Sequence, residues 1–101
     1  MPKIFEYLGI SILFYSNEHE PIHVHGKSQG YESKAEFIII EGKITEITIK
    51  EVRGREPLPI NELKEFKKFV DAFKSEIVQK WIDYFVLHKE IHCIKIEGRV
   101  R

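Results

Sequence analysis

The sequence predicts an α+β domain: an antiparallel sheet of about five or six strands, packed against one long or two consecutive C-terminal helices, with a final C-terminal strand. Three observations predict it. The first half is cut by turn residues into short segments rich in Ile, Phe, Val, Thr and Tyr, the side chains that suit a pleated surface. From Asn61 to His88 the apolar residues Leu63, Phe66, Phe69, Val70, Phe73, Ile77, Trp81, Tyr84 and Phe85 recur at three- and four-residue steps, the period of an amphipathic helix. After that run, Ile91 to Glu97 is β-prone again. A chain of 101 residues suffices for one domain with one modest core, and no internal repeat divides it.

The strands follow in order. Lys3 to Tyr7 is short and aromatic, and Gly9 breaks it. Ile10 to Tyr15 places Ile10, Ile12 and Phe14 on one face, with apolar Leu13 and Tyr15 on the other, so both faces are expected to be covered. Ser16 to Pro21 is polar turn sequence, and Ile22 to His25 reads as a strand ending before the Ser28-Gln29-Gly30 turn. Ser33 to Ile40 ends in the continuous apolar run Phe37-Ile38-Ile39-Ile40, expected to be a central strand. Glu41-Gly42-Lys43 is a hairpin connection, and Ile44 to Glu51 alternates as a half-exposed strand. Pro57 and Pro59 rule out a central strand over Val52 to Pro59. Asn61 is the expected helix N-cap, with Glu62 favourable in the first turn. Ser75-Glu76 offers a second helix start, so two helices with a break near Lys74-Ser75 are favoured. Arg99-Val100-Arg101 is expected to fray.

Charge and cysteine content narrow the function classes. Sixteen basic residues balance sixteen acidic ones, which argues against the broad positive field of a dedicated duplex-binding protein but allows a local patch. Cys93 is the single cysteine and has no internal disulfide partner, as expected in a reducing compartment. No signal-like apolar run stands at the N-terminus, and no segment approaches the ~20 apolar residues of a membrane span. A cytoplasmic protein off the membrane is expected.

Chemistry concentrates in Asn17-Glu18-His19-Glu20-Pro21-Ile22-His23-Val24-His25, which holds three of the five histidines. On a strand, His23 and His25 share a face with Cα atoms roughly 6.5 Å apart, while Val24 points to the other side. Pro21 stiffens the approach, and a turn before it would fold His19 or Glu18 back over the pair. Met1-Pro2, Gly9-Ile10, Phe14-Tyr15, Glu18-His19, Pro21 and His23-Val24-His25 together resemble a small bacterial family known as domain of unknown function 4160. Leu58-Pro59, the helix with Trp81, and Leu87-His88-Lys89-Glu90-Ile91 extend the resemblance over nearly the whole chain. The family usually has two prolines before His-Val-His; here Ile22 stands in place of the second. Its members often lie beside another small protein in arrangements like toxin–antitoxin pairs. The resemblance therefore implies a cognate partner protein and a link to nucleic acid or translation.

Three chemistries fit the residues. His23, His25 and His19 are candidate ligands of a divalent transition metal, with Glu18, Glu20 or His92 completing the set, although the spacing matches no standard zinc signature. His19, His23, His25 and Glu18 are equally candidates for acid–base catalysis, with Arg53 or Arg55 neutralising a phosphate as metal-free RNA cleavage requires. Lys27, Lys34, Arg53, Arg55, Arg99 and Arg101, with Tyr31 for stacking, are candidates for a non-catalytic nucleic-acid surface. Phe69, Phe73, Trp81 and Phe85 offer more aromatic surface than one small sheet covers, which suits a partner protein docking on the helical face or a sheet edge. Half-exposed histidines hydrogen-bonded to their neighbours, and aromatics that simply fill a core, explain the same residues without a ligand. The primary expectation is a toxin–antitoxin-type module binding a partner protein or nucleic acid through a histidine-rich surface. Its rival is a small nuclease or metal-dependent hydrolase. Imidazoles converging with a carboxylate or arginine in a pocket favour the rival; imidazoles spread over an open face favour the binding module.

Overall fold

The computed structural model describes residues 2–15 and 21–100. Strands β1 (Lys3–Tyr7), β2 (Ile10–Leu13), β3 (His23–Ser28), β4 (Tyr31–Ile40) and β5 (Lys43–Glu51) form an antiparallel meander. Helices α1 (Ile60–Ala72) and α2 (Lys74–Trp81) and a π-helical turn (Ile82–Val86) lead to β6 (Ile94–Ile96). The six strands lie in the order β5-β4-β3-β2-β1-β6, and β6 runs parallel to β1. Parallel pairing needs a long crossover, and the helices supply it by carrying the chain to the opposite sheet edge.

Hairpin loops fix the register. Gln29-Gly30 and Glu41-Gly42 are two-residue loops with positive φ at both positions, the conformation whose twist matches that of the flanking strands. The first sets Ser28 opposite Tyr31 and hence His25 opposite Lys34.

One face of the sheet carries the core. Phe69 of α1 packs against Phe5 and Tyr7 at ring separations of 5.3 and 4.7 Å, and stacks on Phe73 at 4.5 Å. Gly26 marks where α1 comes nearest: a Cβ there would stand 2.6 Å from Cε1 of the fully buried Phe66 ring. Gly26→Ala is expected to destabilise the fold by about 1–3 kcal/mol through overpacking, read from the midpoint of urea unfolding; an unchanged midpoint would place α1 farther from the sheet.

The helical period breaks where the chain turns. Phe73, with φ −108° and ψ 18°, closes α1 and opens α2, just before the expected Lys74-Ser75. Two consecutive helices are present, but neither has a side-chain cap. Pro59, not Asn61, precedes the first helical residue; its extended backbone sets the entry angle and its carbonyl accepts from the Leu63 N–H at 2.8 Å. Beyond α2, Phe85 reaches Phe14 at 5.8 Å. Phe69 is fully buried, and Phe73, Trp81 and Phe85 pack against the core half-buried, so these aromatics serve mainly as core.

Three further expectations need correction. The run Phe37–Ile40 is not uniformly central: Phe37 is buried, but a register shift between Ile38 and Ile39 carries the strand end outward, leaving Ile38, Ile39 and Ile40 exposed. The last strand is shorter than Ile91–Glu97, because only Ile94–Ile96 finds β1 as a partner. Finally, Arg99 and Val100 are anchored rather than frayed. Arg99 pairs with Glu65 at 2.8 Å, and the Val100 N–H donates to the Tyr7 hydroxyl at 2.8 Å. Among the described residues no helix is long and apolar enough to cross a membrane.

Candidate functional site

Strand alternation places the histidines. Gly26 faces Phe66 of α1, so its neighbours His25 and Lys27, and His23 beyond, project from the opposite face of the sheet. Cross-strand register adds Lys34 opposite His25, Glu36 opposite His23 and Glu32 opposite Lys27. On the next strand, Lys50 stands opposite Lys34 and Thr48 opposite Glu36. Two histidines thus sit among charges of both signs on the helix-free face.

Neither histidine is half-exposed, contrary to the simplest expectation: His23 and His25 retain only 4% and 6% of their accessible surface. The two rings meet edge to face at 5.2 Å, and the Tyr15 ring covers His25 at 4.2 Å. A cavity of about 400 Å³ opens over them, lined also by Glu32, Lys34, Val52, Arg53 and Arg55. The loop after β5 reaches the site because it is tied at two points. Its Glu56 carbonyl accepts the Glu32 N–H at 2.8 Å, and its Leu58 N–H donates to the buried Ser33 hydroxyl at 3.1 Å.

Hydrogen bonds assign the ring nitrogens. His25 Nδ1 lies 2.8 Å from Glu32 Oε2, and His23 Nδ1 lies 2.8 Å from the Pro21 carbonyl oxygen. A carbonyl only accepts, as does an ionised carboxylate, so each Nδ1 carries the hydrogen. In the neutral rings Nε2 then keeps its lone pair, ready to accept a proton or a ligand. Glu32 is almost completely buried, and its other oxygen lies 3.6 Å from Arg55 Nε. Burial pushes the His25 pKa down to about 4; the hydrogen bond and charge of Glu32 oppose this, but desolvation prevails. His25 is therefore neutral at pH 7. Further along the face, Glu36 bridges Lys34 at 3.6 Å and Lys50 at 2.9 Å.

The sequence-derived candidates divide clearly. His23, His25, Arg53 and Arg55 come together in one cavity. Glu18, His19 and Glu20 lie outside the described residues. His92 is exposed, on the segment before β6, and does not line this cavity. Arg99 pairs with Glu65 on α1, Tyr31 is exposed at the start of β4, and Arg101 lies outside the described residues. Glu32, Lys34 as a pocket residue, and Tyr15 were not singled out for the histidine site from the sequence. The signal for the first two was the Gln29-Gly30 turn, since a two-residue hairpin loop dictates that Lys34 faces His25. Among the described residues no three His, Cys, Asp or Glu side chains gather as a metal-binding set. The histidine pair alone offers two nitrogen donors, with Glu32 holding one ring as carboxylates hold metal-bound histidines.

Fold and site define a small α+β domain with a cationic, histidine-bearing pocket on the open face of its sheet. A family model described as Domain of unknown function (DUF4160) matches residues 9–82, and the chain belongs to that family. The matched span contains every residue lining the histidine pocket. No curated protein and no solved structure matches the chain.

Proposed function

We propose that the pocket binds a phosphodiester of RNA and cleaves it without a metal. The observation that carries this reading is convergence: two imidazoles with Nδ1 committed to acceptors share one cavity with Lys34, Arg53 and Arg55. In the proposed step, His25 Nε2 takes the proton of a ribose 2′-hydroxyl, and the 2′-oxygen attacks phosphorus. The bond to the 5′-oxygen breaks, and that oxygen takes the Nε2 proton of His23, which enters as imidazolium. Glu32 stabilises the positive charge that forms on His25, and the arginines and Lys34 stabilise negative charge on the phosphoryl oxygens. The phosphate itself lowers the penalty of protonating His25 by placing an opposite charge beside a desolvated ring.

The second reading is a toxin–antitoxin-type module that holds nucleic acid at the same cations without cutting it, alongside a cognate partner protein. It is favoured by the low His25 pKa, since a group that protonates near pH 4 is a weak base at pH 7. A metal-assisted hydrolysis depends on a third ligand such as His19 joining His23 and His25.

A labelled single-stranded RNA incubated with wild type, His23→Ala, His25→Ala and Arg55→Ala separates the readings. Cleavage leaving 2′,3′-cyclic phosphate ends, unaffected by EDTA and reduced about 10²–10⁴-fold by either histidine substitution, supports the first. Abolition by EDTA supports the metal-assisted version. Binding without cleavage, weakened by salt and by Arg55→Ala, supports the module. Neither binding nor cleavage overturns the phosphodiester assignment.

A further inference from the structure

Strand β5 forms one edge of the sheet, and among the described residues no element pairs with its outer side. It is nine residues long, an exposed row of backbone donors and acceptors of the kind folded proteins usually cover or blunt. Beside it runs a cleft of about 500 Å³ between the strand and α1, lined by Glu46, Ile47, Thr48, Ile49, Lys67 and Asp71. Ile47 and Ile49 are only half-buried there. An added strand would complete the hydrogen bonding and lay its side chains over this cleft.

The sequence of β5 is complementary to itself. In an antiparallel pair centred on Thr48, Glu46 of each copy stands opposite Lys50 of the other, and Ile47 opposite Ile49. Opposed residues share a face, so both ion pairs fall on the helix-free face and both isoleucine pairs on the helix face. The neighbouring registers lack this match. Centring on Glu46 opposes two glutamates, and centring on Ile47 sets Ile44 against Lys50. A two-fold axis normal to the sheet relates the copies, the usual symmetry of soluble dimers.

We propose that the partner of this edge is a second copy of the same chain, joined β5 to β5 in the Thr48-centred register into a continuous twelve-stranded sheet (six strands from each copy). Lys50 already bridges to Glu36, so Glu46 of the second copy extends the chain of alternating charge across the junction. The proposal is independent of the RNA reading.

Sedimentation equilibrium tests it with charge variants. Wild type is expected to dimerise with rising concentration. Glu46→Lys opposes two lysines and Lys50→Glu two glutamates, so each alone should weaken the dimer about tenfold or more, while an equimolar mixture of the two re-forms one. A second measurement does not depend on those charges. Thr48→Cys in a Cys93→Ser background puts the new thiols on the two-fold axis at a strand-pair separation that a disulfide spans, so mild oxidation should cross-link the protein. A monomer at every concentration up to millimolar overturns the proposal. A dimer indifferent to both charge variants, or one in which the Thr48→Cys protein stays uncross-linked, overturns it equally.

Discussion

Glu32→Ala is expected to lower folding stability by about 3 kcal/mol and to abolish the RNA cleavage proposed for the pocket. Glu32 is the hinge of the site. The residue is 1% exposed, one oxygen accepts from His25 at 2.8 Å, and the other faces Arg55 at 3.6 Å. Alanine leaves a buried Nδ1–H without an acceptor, a void beneath the ring, and a guanidinium without its counter-charge. Glu32→Gln separates position from charge. The amide oxygen still accepts from Nδ1, so most stability should return, but an uncharged partner no longer stabilises the imidazolium and activity should stay low. Urea unfolding of both variants beside wild type reads the first effect. An alanine variant as stable as wild type would show that the His25–Glu32 contact contributes nothing to the fold.

The second large effect is a loss of stability in mild acid. An unfolded chain protonates His25 at its ordinary value of 6.5, whereas the folded chain holds it near 4. Between those values the unfolded state binds more protons, so this contribution to stability is complete above pH 6.5 and falls away as the pH drops toward 4. At 1.36 kcal/mol per unit the loss is about 3 kcal/mol. Carboxylates act lower. Glu6, hydrogen-bonded to Lys3, has a pKa below 4.5, and so does Glu36, where burial acts to raise the value but the bonds and charges of Lys50 and Lys34 outweigh it. Their contribution fades as pH falls from 4.5, which leaves much of the interval above it to His25. Unfolding midpoints measured from pH 7.5 to 4.5 should decline for wild type and decline much less for His25→Gln. Parallel profiles would mean that His25 is not held neutral by burial.

Much of this architecture could be read from residue order. Turn residues marked the hairpins, two-residue periodicity marked the strands, and three- and four-residue steps marked the helices, because each signal is local. The helix boundaries were less legible. Asn61 has the chemistry of a cap, but the backbone of Pro59 fixes the entry two residues earlier. The outward path of Ile38–Ile40 depends on a register shift that no composition announces. The parallel seat of β6 and the anchoring of Val100 on Tyr7 join residues from opposite ends of the chain. At the site, His23 and His25 stood out by spacing, and Arg53 and Arg55 by charge. Glu32 was hidden because its importance lies in which ring it faces. That relation was computable from the Gln29-Gly30 loop, which sets Glu32 opposite Lys27 and diagonal to His25.

The central claim, that Nε2 of His23 and Nε2 of His25 meet a phosphodiester while each Nδ1 keeps its hydrogen, is tested most directly by nitrogen-detected NMR of histidine-labelled protein. Spectra are recorded with and without a 2′-deoxy dinucleoside phosphate, which lacks the attacking hydroxyl. The prediction is that both rings carry a hydrogen on Nδ1 in the free protein, and that Nε2 of both shifts saturably as the phosphate is added while Nδ1 keeps its hydrogen. An Nδ1 without its hydrogen on either ring, or resonances unmoved at millimolar ligand, would contradict it.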